Sequence, residues 1–182
     1  MTVVGIDLAT EKGETGLCIL NEDKIITKLV KSDDEIIKEI NSIKPEVVAI
    51  DAPLSWPKKG IMRETEILLR KLGIRVFPPL MQGMKRLTER GIRLKNLLKY
   101  KVIEVYPGLF YDQFKIKRRN NQKELKMVLK RFGIVITQDL CQHELDAVVC
   151  ALIGKFYLER KTIKIGEIIT VRVNKNGRVL SG

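Results

Sequence analysis

The apolar positions of the chain fall first into short runs and then into helical stripes. Val3, Val4, Ile6 and Leu8, with Gly5 and Ala9 among them, read as a strand covered on both faces, and this run carries one charged residue, Asp7. Leu17-Cys-Ile-Leu20 and Lys24–Val30 follow, separated by the turn residues Asn21-Glu-Asp23, which predicts an antiparallel meander of three strands. Ser32 with Glu35 three positions later is a capping box, and Ile36, Ile37, Ile40 and Ile43 mark one face of the helix it starts. Pro45 closes that helix, and a second Val/Ile run then ends on Asp51. A helix between the third and fourth strands is the crossover that a mixed sheet requires.

Beyond Asp51 the pattern becomes irregular, because Pro53 keeps Ala52 extended and the strand then breaks. A helix is expected over about 62–72, with Met62, Leu68, Leu69 and Leu72 inward and Gly73 as its cap. Residues 75–84 form a long apolar loop, of a length often reserved for function. A basic helix over about 85–99 precedes a fifth strand, Val102–Tyr106, which Pro107-Gly108 ends. Asn121 caps a helix faced by Leu125, Val128, Leu129 and Phe132. The last clear helix, about 140–160, turns Leu145, Val148, Val149, Leu152 and Phe156 inward. From Ile163 the chain alternates as small strands, with Asn176-Gly177 as a hairpin turn. No repeat or linker interrupts the chain. The expectation is one α/β domain over 1–182: a mixed five-stranded sheet flanked by helices, a helical insert at about 55–100 and a small β tail at about 163–182.

Charge and composition narrow the chemistry. A net charge of +12 on 182 residues points to nucleic acid, to an anionic substrate or simply to a Lys-rich surface. The single histidine, His143, excludes a two-His metal site. Cys18, Cys141 and Cys150 lack C-x-x-C spacing and read as small buried apolar residues. No apolar run approaches the roughly 18 residues of a membrane span, and the chain enters its first strand without a signal segment. A cytoplasmic protein with no membrane partner is expected.

Two strands thus each deliver an Asp from their carboxyl ends. In the late helix His143 and Asp146 lie three positions apart on one face, so Asp146 is a third carboxylate able to reach a point shared with Asp7 and Asp51. Glu104, inside the fifth strand, is a fourth candidate, and Glu144 a fifth that is expected to face solvent. Carboxylates gathered without His or Cys suit a hard cation, Mg²⁺ or Mn²⁺. Such ions can activate water and stabilise the leaving oxygen of a phosphodiester.

These features resemble the RNase H-like fold, and more closely the RNase H-like nucleases catalogued as domain of unknown function 429. The matching segments are Gly5-Ile-Asp-Leu-Ala9, Ala49-Ile-Asp-Ala-Pro-Leu54, Phe77-Pro-Pro79, Leu87-Thr-Glu-Arg-Gly91, Ile103-Glu-Val-Tyr-Pro107 and Glu144-Leu-Asp-Ala147. His143-x-x-Asp146-Ala also resembles the last helix of RuvC-like Holliday-junction resolvases, which often carry an acidic residue where this chain has His143. The resemblance implies a metal-dependent nuclease, with Asp7, Asp51 and Asp146 on Mg²⁺ or Mn²⁺ and Glu104 and His143 assisting. Phosphate contacts are expected from Arg63, Lys85, Arg90, Lys117, Arg118 and Arg119, on DNA or RNA, with homodimer formation open. Trp56, Phe77 and Met81 read as core or loop plugs in preference to base-stacking platforms. Two other classes compete. One is a non-catalytic binding module of the same fold. The other is an actin-like ATP-binding fragment, since Asp7 precedes the Gly-rich turn Gly13-Glu-Thr-Gly16.

Overall fold

The computed structural model of the chain describes residues 1–117 and 122–180. Strands β1 (Thr2–Asp7), β2 (Thr15–Asn21) and β3 (Lys24–Val30) form the antiparallel meander. Helix α1 (Asp33–Ile43) starts on the Ser32–Glu35 capping box and returns the chain to β4 (Val47–Asp51), which pairs parallel to β1. Helices α2 (Glu64–Lys71) and α3 (Gln82–Leu97) form the insert, and β5 (Val102–Val105) then lies parallel to β4.

Past β5 the structure departs from the sequence pattern. Pro107-Gly108 starts a helix instead of merely ending a strand: α4 (Pro107–Gln113) has its proline in the first turn, where the missing N–H costs nothing. Helix α5 (Gln122–Lys130) follows, and the Asn121 cap lies outside the described residues. Helix α6 (Gln142–Leu158) precedes β6 (Thr162–Ile165) and β7 (Ile168–Val171). The tail is not an appendage. β7 pairs parallel to β5, so the sheet has seven strands in the order β3-β2-β1-β4-β5-β7-β6, where five were expected. The open edge of β5 needs backbone partners, and the β6–β7 hairpin supplies them.

Strand parity sorts the core into two layers. Val3, Val47 and Ala49 pack with α4, α5 and α6 on one face. Val4, Ile6, Val48 and Ile50 pack with α1 and with Leu94 of α3 on the other. Helix α6 lies closest to the sheet and is buried along most of its length. A Cβ on Gly5 would stand 2.2 Å from the carbonyl oxygen of Ala147, and one on Gly16 would stand 2.0 Å from that of His143. These are backbone contacts that cannot yield by a rotamer change. In the insert, α2 buries Thr65, Glu66 and Leu69, while Leu72 is 62% exposed and not inward as its spacing implied. Gly5→Ala is expected to destabilise the fold by about 1–3 kcal/mol, the usual range for overpacking. Chemical denaturation will measure it.

Candidate active site

Asp7 and Asp51 end adjacent parallel strands and are partners in register, so their backbones lie about 4.8 Å apart. By parity they share the face of Val3, Gly5, Val47 and Ala49, the face on which α6 packs. The two glycines let α6 settle close enough to bring His143 and Asp146 to this strand end. His143 Nδ1 stands 2.6 Å from Asp7 Oδ2. Asp146 Oδ1 accepts a hydrogen bond from the Tyr111 hydroxyl and another, at 3.0 Å, from the Gln142 amide.

The electrostatics are those of crowded carboxylates. Burial raises the Asp7 carboxyl above its ordinary range, with the His143 hydrogen bond opposing. Burial likewise raises Asp146 to about 6, the Tyr111 hydrogen bond opposing and Asp7 adding repulsion. Asp51 is raised well above its ordinary range, by burial and then by repulsion from Asp7, Asp146 and Glu104. Among the described residues its carboxylate has no hydrogen-bond or ion-pair partner. Also among the described residues, no three His, Cys, Asp or Glu side chains converge as a ready metal cage. The reason is visible in the contacts: Asp7 is turned onto His143, and Asp146 onto Tyr111 and Gln142.

Glu104 lines the same cavity as Asp7 and Asp51 but is held by its own partners. Its strand neighbour is Ile50, and Ile50 packs on the opposite face from Asp51. Arg63 grips both Glu104 oxygens, at 2.8 and 2.6 Å, and the Leu54 N–H adds a third bond at 2.8 Å. Arg63 also holds Glu66 at 2.6 Å and reaches Glu167 at 3.3 Å. Arg63 was expected to meet phosphate at a surface, yet it is 5% exposed and spent on this network. Burial works against its charge, but its carboxylate partners outweigh that and keep it protonated.

Arg90 is displaced from the surface in the same way. It is 1% exposed, and its guanidinium donates to Asp33, Ala9 and Lys31. It therefore braces the turn after Asp7 from inside. Lys85 and Lys117 are exposed, while Arg118 and Arg119 lie outside the described residues. Glu144 is neither a ligand nor free in solvent: it accepts from Thr27 Oγ1 and from the Cys141 N–H at the start of α6. Cys18 and Cys150 are buried as expected, but Cys141 is exposed. Trp56, Phe77 and Met81 are exposed too, Phe77 by 65%, so they are not core plugs.

Tyr111 and Gln142 were missed in the sequence. Gln142 carries a usable signal, one helical turn before Asp146. Tyr111 carries none, because α4 itself went unrecognised and the pair is 35 residues apart.

The comparisons with known proteins agree with this architecture. The family model described as Protein of unknown function (DUF429) matches residues 5–166. Among solved structures, Thermus thermophilus RuvC superposes with a TM-score of 0.50 at 15% identity, covering 87% of this chain and 95% of that one. T. thermophilus RuvC in complex with Holliday junction substrate gives a TM-score of 0.54 at 15% identity, with 87% and 94% covered. No match is found among curated proteins. No described helix is long and apolar enough to cross a membrane.

Two outcomes are expected. Asp146 ionises near 3.8 in its ordinary state and near 6 in the fold, so the native state binds that proton more tightly than the unfolded chain. Its contribution to stability is present below about pH 4 and is lost as pH rises through about 6. Urea unfolding from pH 4 to 7 should therefore show a falling component that Asp146→Asn removes. Arg63→Ala leaves Glu104 buried without its counter-ion and should cost about 3–5 kcal/mol in the same assay at pH 7.

Proposed function

The chain belongs to the DUF429 family and has an α/β fold resembling that of RuvC, and from that premise we propose that it is a divalent-metal-dependent nuclease. The observation that carries this reading is the Asp51 carboxylate. It lies half-buried beside two other carboxylates, repelled by them and without a protein partner among the described residues. An uncompensated charge in that setting is costly, and a bound cation removes the cost. The donor set is all oxygen apart from one histidine, which suits Mg²⁺ or Mn²⁺.

In this reading Asp7, Asp51 and Asp146 hold the ion. When bound, it supplies positive charge to polarise a phosphoryl oxygen and to favour ionisation of the attacking water. The other roles fall to the chain itself. Tyr111 and Gln142 fix the carboxylate of Asp146, and His143 orients Asp7. His143 is 53% exposed, so its free edge is open to exchange a proton with water or to donate to a phosphate oxygen. Glu104 acts at a remove, since with Arg63 it ties the segment after Asp51 to the insert. Exposed Lys85 and Lys117 and the +12 net charge favour a nucleic-acid backbone as substrate. The complex of T. thermophilus RuvC with Holliday junction substrate supports the same class.

One observation favours a second reading, a non-catalytic nucleic-acid-binding module. Asp7 and Asp146 already have protein partners. Calorimetric titration with Mn²⁺ and cleavage of fluorescent branched, duplex and single-stranded substrates separate the two. The nuclease reading expects Mn²⁺ binding and metal-dependent cleavage. Altering an outer partner of a metal ligand typically costs roughly 10–100-fold. His143→Ala is expected in that range, and Asp7→Asn or Asp51→Asn beyond about a hundredfold. Binding of nucleic acid without Mn²⁺ heat or cleavage would favour the module.

A further inference from the structure

Asp7 and Asp51 line a cavity of about 280 Å³ in which His143 and Asp146 take no part. Apart from the mutually paired Arg63, Glu66 and Glu104, the rest of its wall is mostly apolar and aromatic. It includes Leu69 from α2, Arg75 and Phe77 from the following loop, Met84 and Leu87 from α3, and Tyr106 at the end of β5. A metal ion and a phosphate use only the acidic end of such a cavity. The remainder calls for a flat, weakly polar group covalently continuous with the phosphate.

We propose that this cavity receives a single unstacked nucleobase, next to a phosphate that the metal ion proposed at Asp7 and Asp51 would hold. The inference rests on the nuclease reading and adds its substrate class, an unpaired nucleotide within a strand. The volume of about 280 Å³ lies just below the roughly 300–1,000 Å³ of small-molecule pockets, which suits one base and not a base pair. The wall has the chemistry for it. Leu69 is fully buried and gives a dry floor, whereas Phe77 is 65% exposed and presents its ring at the surface. Arg75 adds an exposed planar guanidinium, which stacks on π-systems. Tyr106 donates from its hydroxyl to the Arg75 carbonyl at 3.3 Å, tying the loop to the strand end. Its ring lies where a Cβ on Gly108 would come within 2.5 Å, so only glycine permits this placement.

Energetics decide for an unpaired segment. Extruding a base from a duplex costs about what one stacking contact returns, whereas an unpaired base enters without that cost.

Abasic scanning of the full-length protein tests this. A labelled single strand of about 12 nucleotides is bound in Ca²⁺, and each base is deleted in turn. The expected result is one position where deletion weakens binding by about 10–100-fold, with little effect elsewhere. Met84→Trp, which fills the cavity, should abolish that positional dependence while Mn²⁺ binding persists. A flat scan would overturn the proposal, as would an unchanged scan with Met84→Trp. Tight binding of a free nucleoside monophosphate with no binding of the strand would also overturn it, marking the cavity as a mononucleotide site. A chain that cleaves but scans flat loses the base pocket and keeps the nuclease reading, whereas a chain without Mn²⁺ binding or cleavage loses the nuclease reading first.

Discussion

The close approach of α6 to β1 and β2 is the contact on which the site depends. At Gly5 and Gly16 the helix backbone rests against the sheet backbone with no room for a side chain. That distance sets where the first turns of α6 stand, and His143 and Asp146 ride on those turns. A helix held off by even one methyl group would carry both side chains away from the strand ends. The apolar burial that stabilises the domain and the placing of its polar chemistry are one packing event, since Ala147, Val148 and Ala151 of the same helix are fully buried.

Once gathered, the carboxylates oppose the fold. Burial and mutual repulsion raise Asp7, Asp51 and Asp146 together. Two of the three are offset, with His143 on Asp7 and Tyr111 plus Gln142 on Asp146, while Asp51 has no such partner among the described residues. The three carboxylates thus disfavour their own joint ionisation. The loops around it are secured by neutralised arginines. Arg63 joins the insert to β5 through Glu104, and Arg90 joins α3 to the turn after Asp7. The positive charge of the sequence is therefore not all surface charge, and two of the arginines that looked fit for phosphate are internal fasteners.

Much of this was legible in the chain. Asp7 and Asp51 stood out because each ends a Val/Ile run, and the structure sets them side by side in register. His143 and Asp146 were readable as one helix face. The meander, the crossover helix and the insert followed from period and punctuation. For Glu104, alternation within a strand assigns a face but could not show its pairing with Arg63. Arg63 and Arg90 misled because a basic residue on a polar face looks solvated until a distant carboxylate or carbonyl meets it.

What the sequence determined by itself, then, was local: which segments are strands or helices, and which carboxylates end them. Hydrophobic period and capping act over a few residues, and they are written in order along the chain. Tertiary structure alone decided the seventh strand, with β7 beside β5 across more than sixty residues of intervening chain. It alone decided the Tyr111–Asp146 contact, the two arginine clusters and the cavity beside Asp51. Each of these arises where elements remote in sequence must satisfy buried polar groups or fill a volume together, and that condition is imposed by packing in three dimensions.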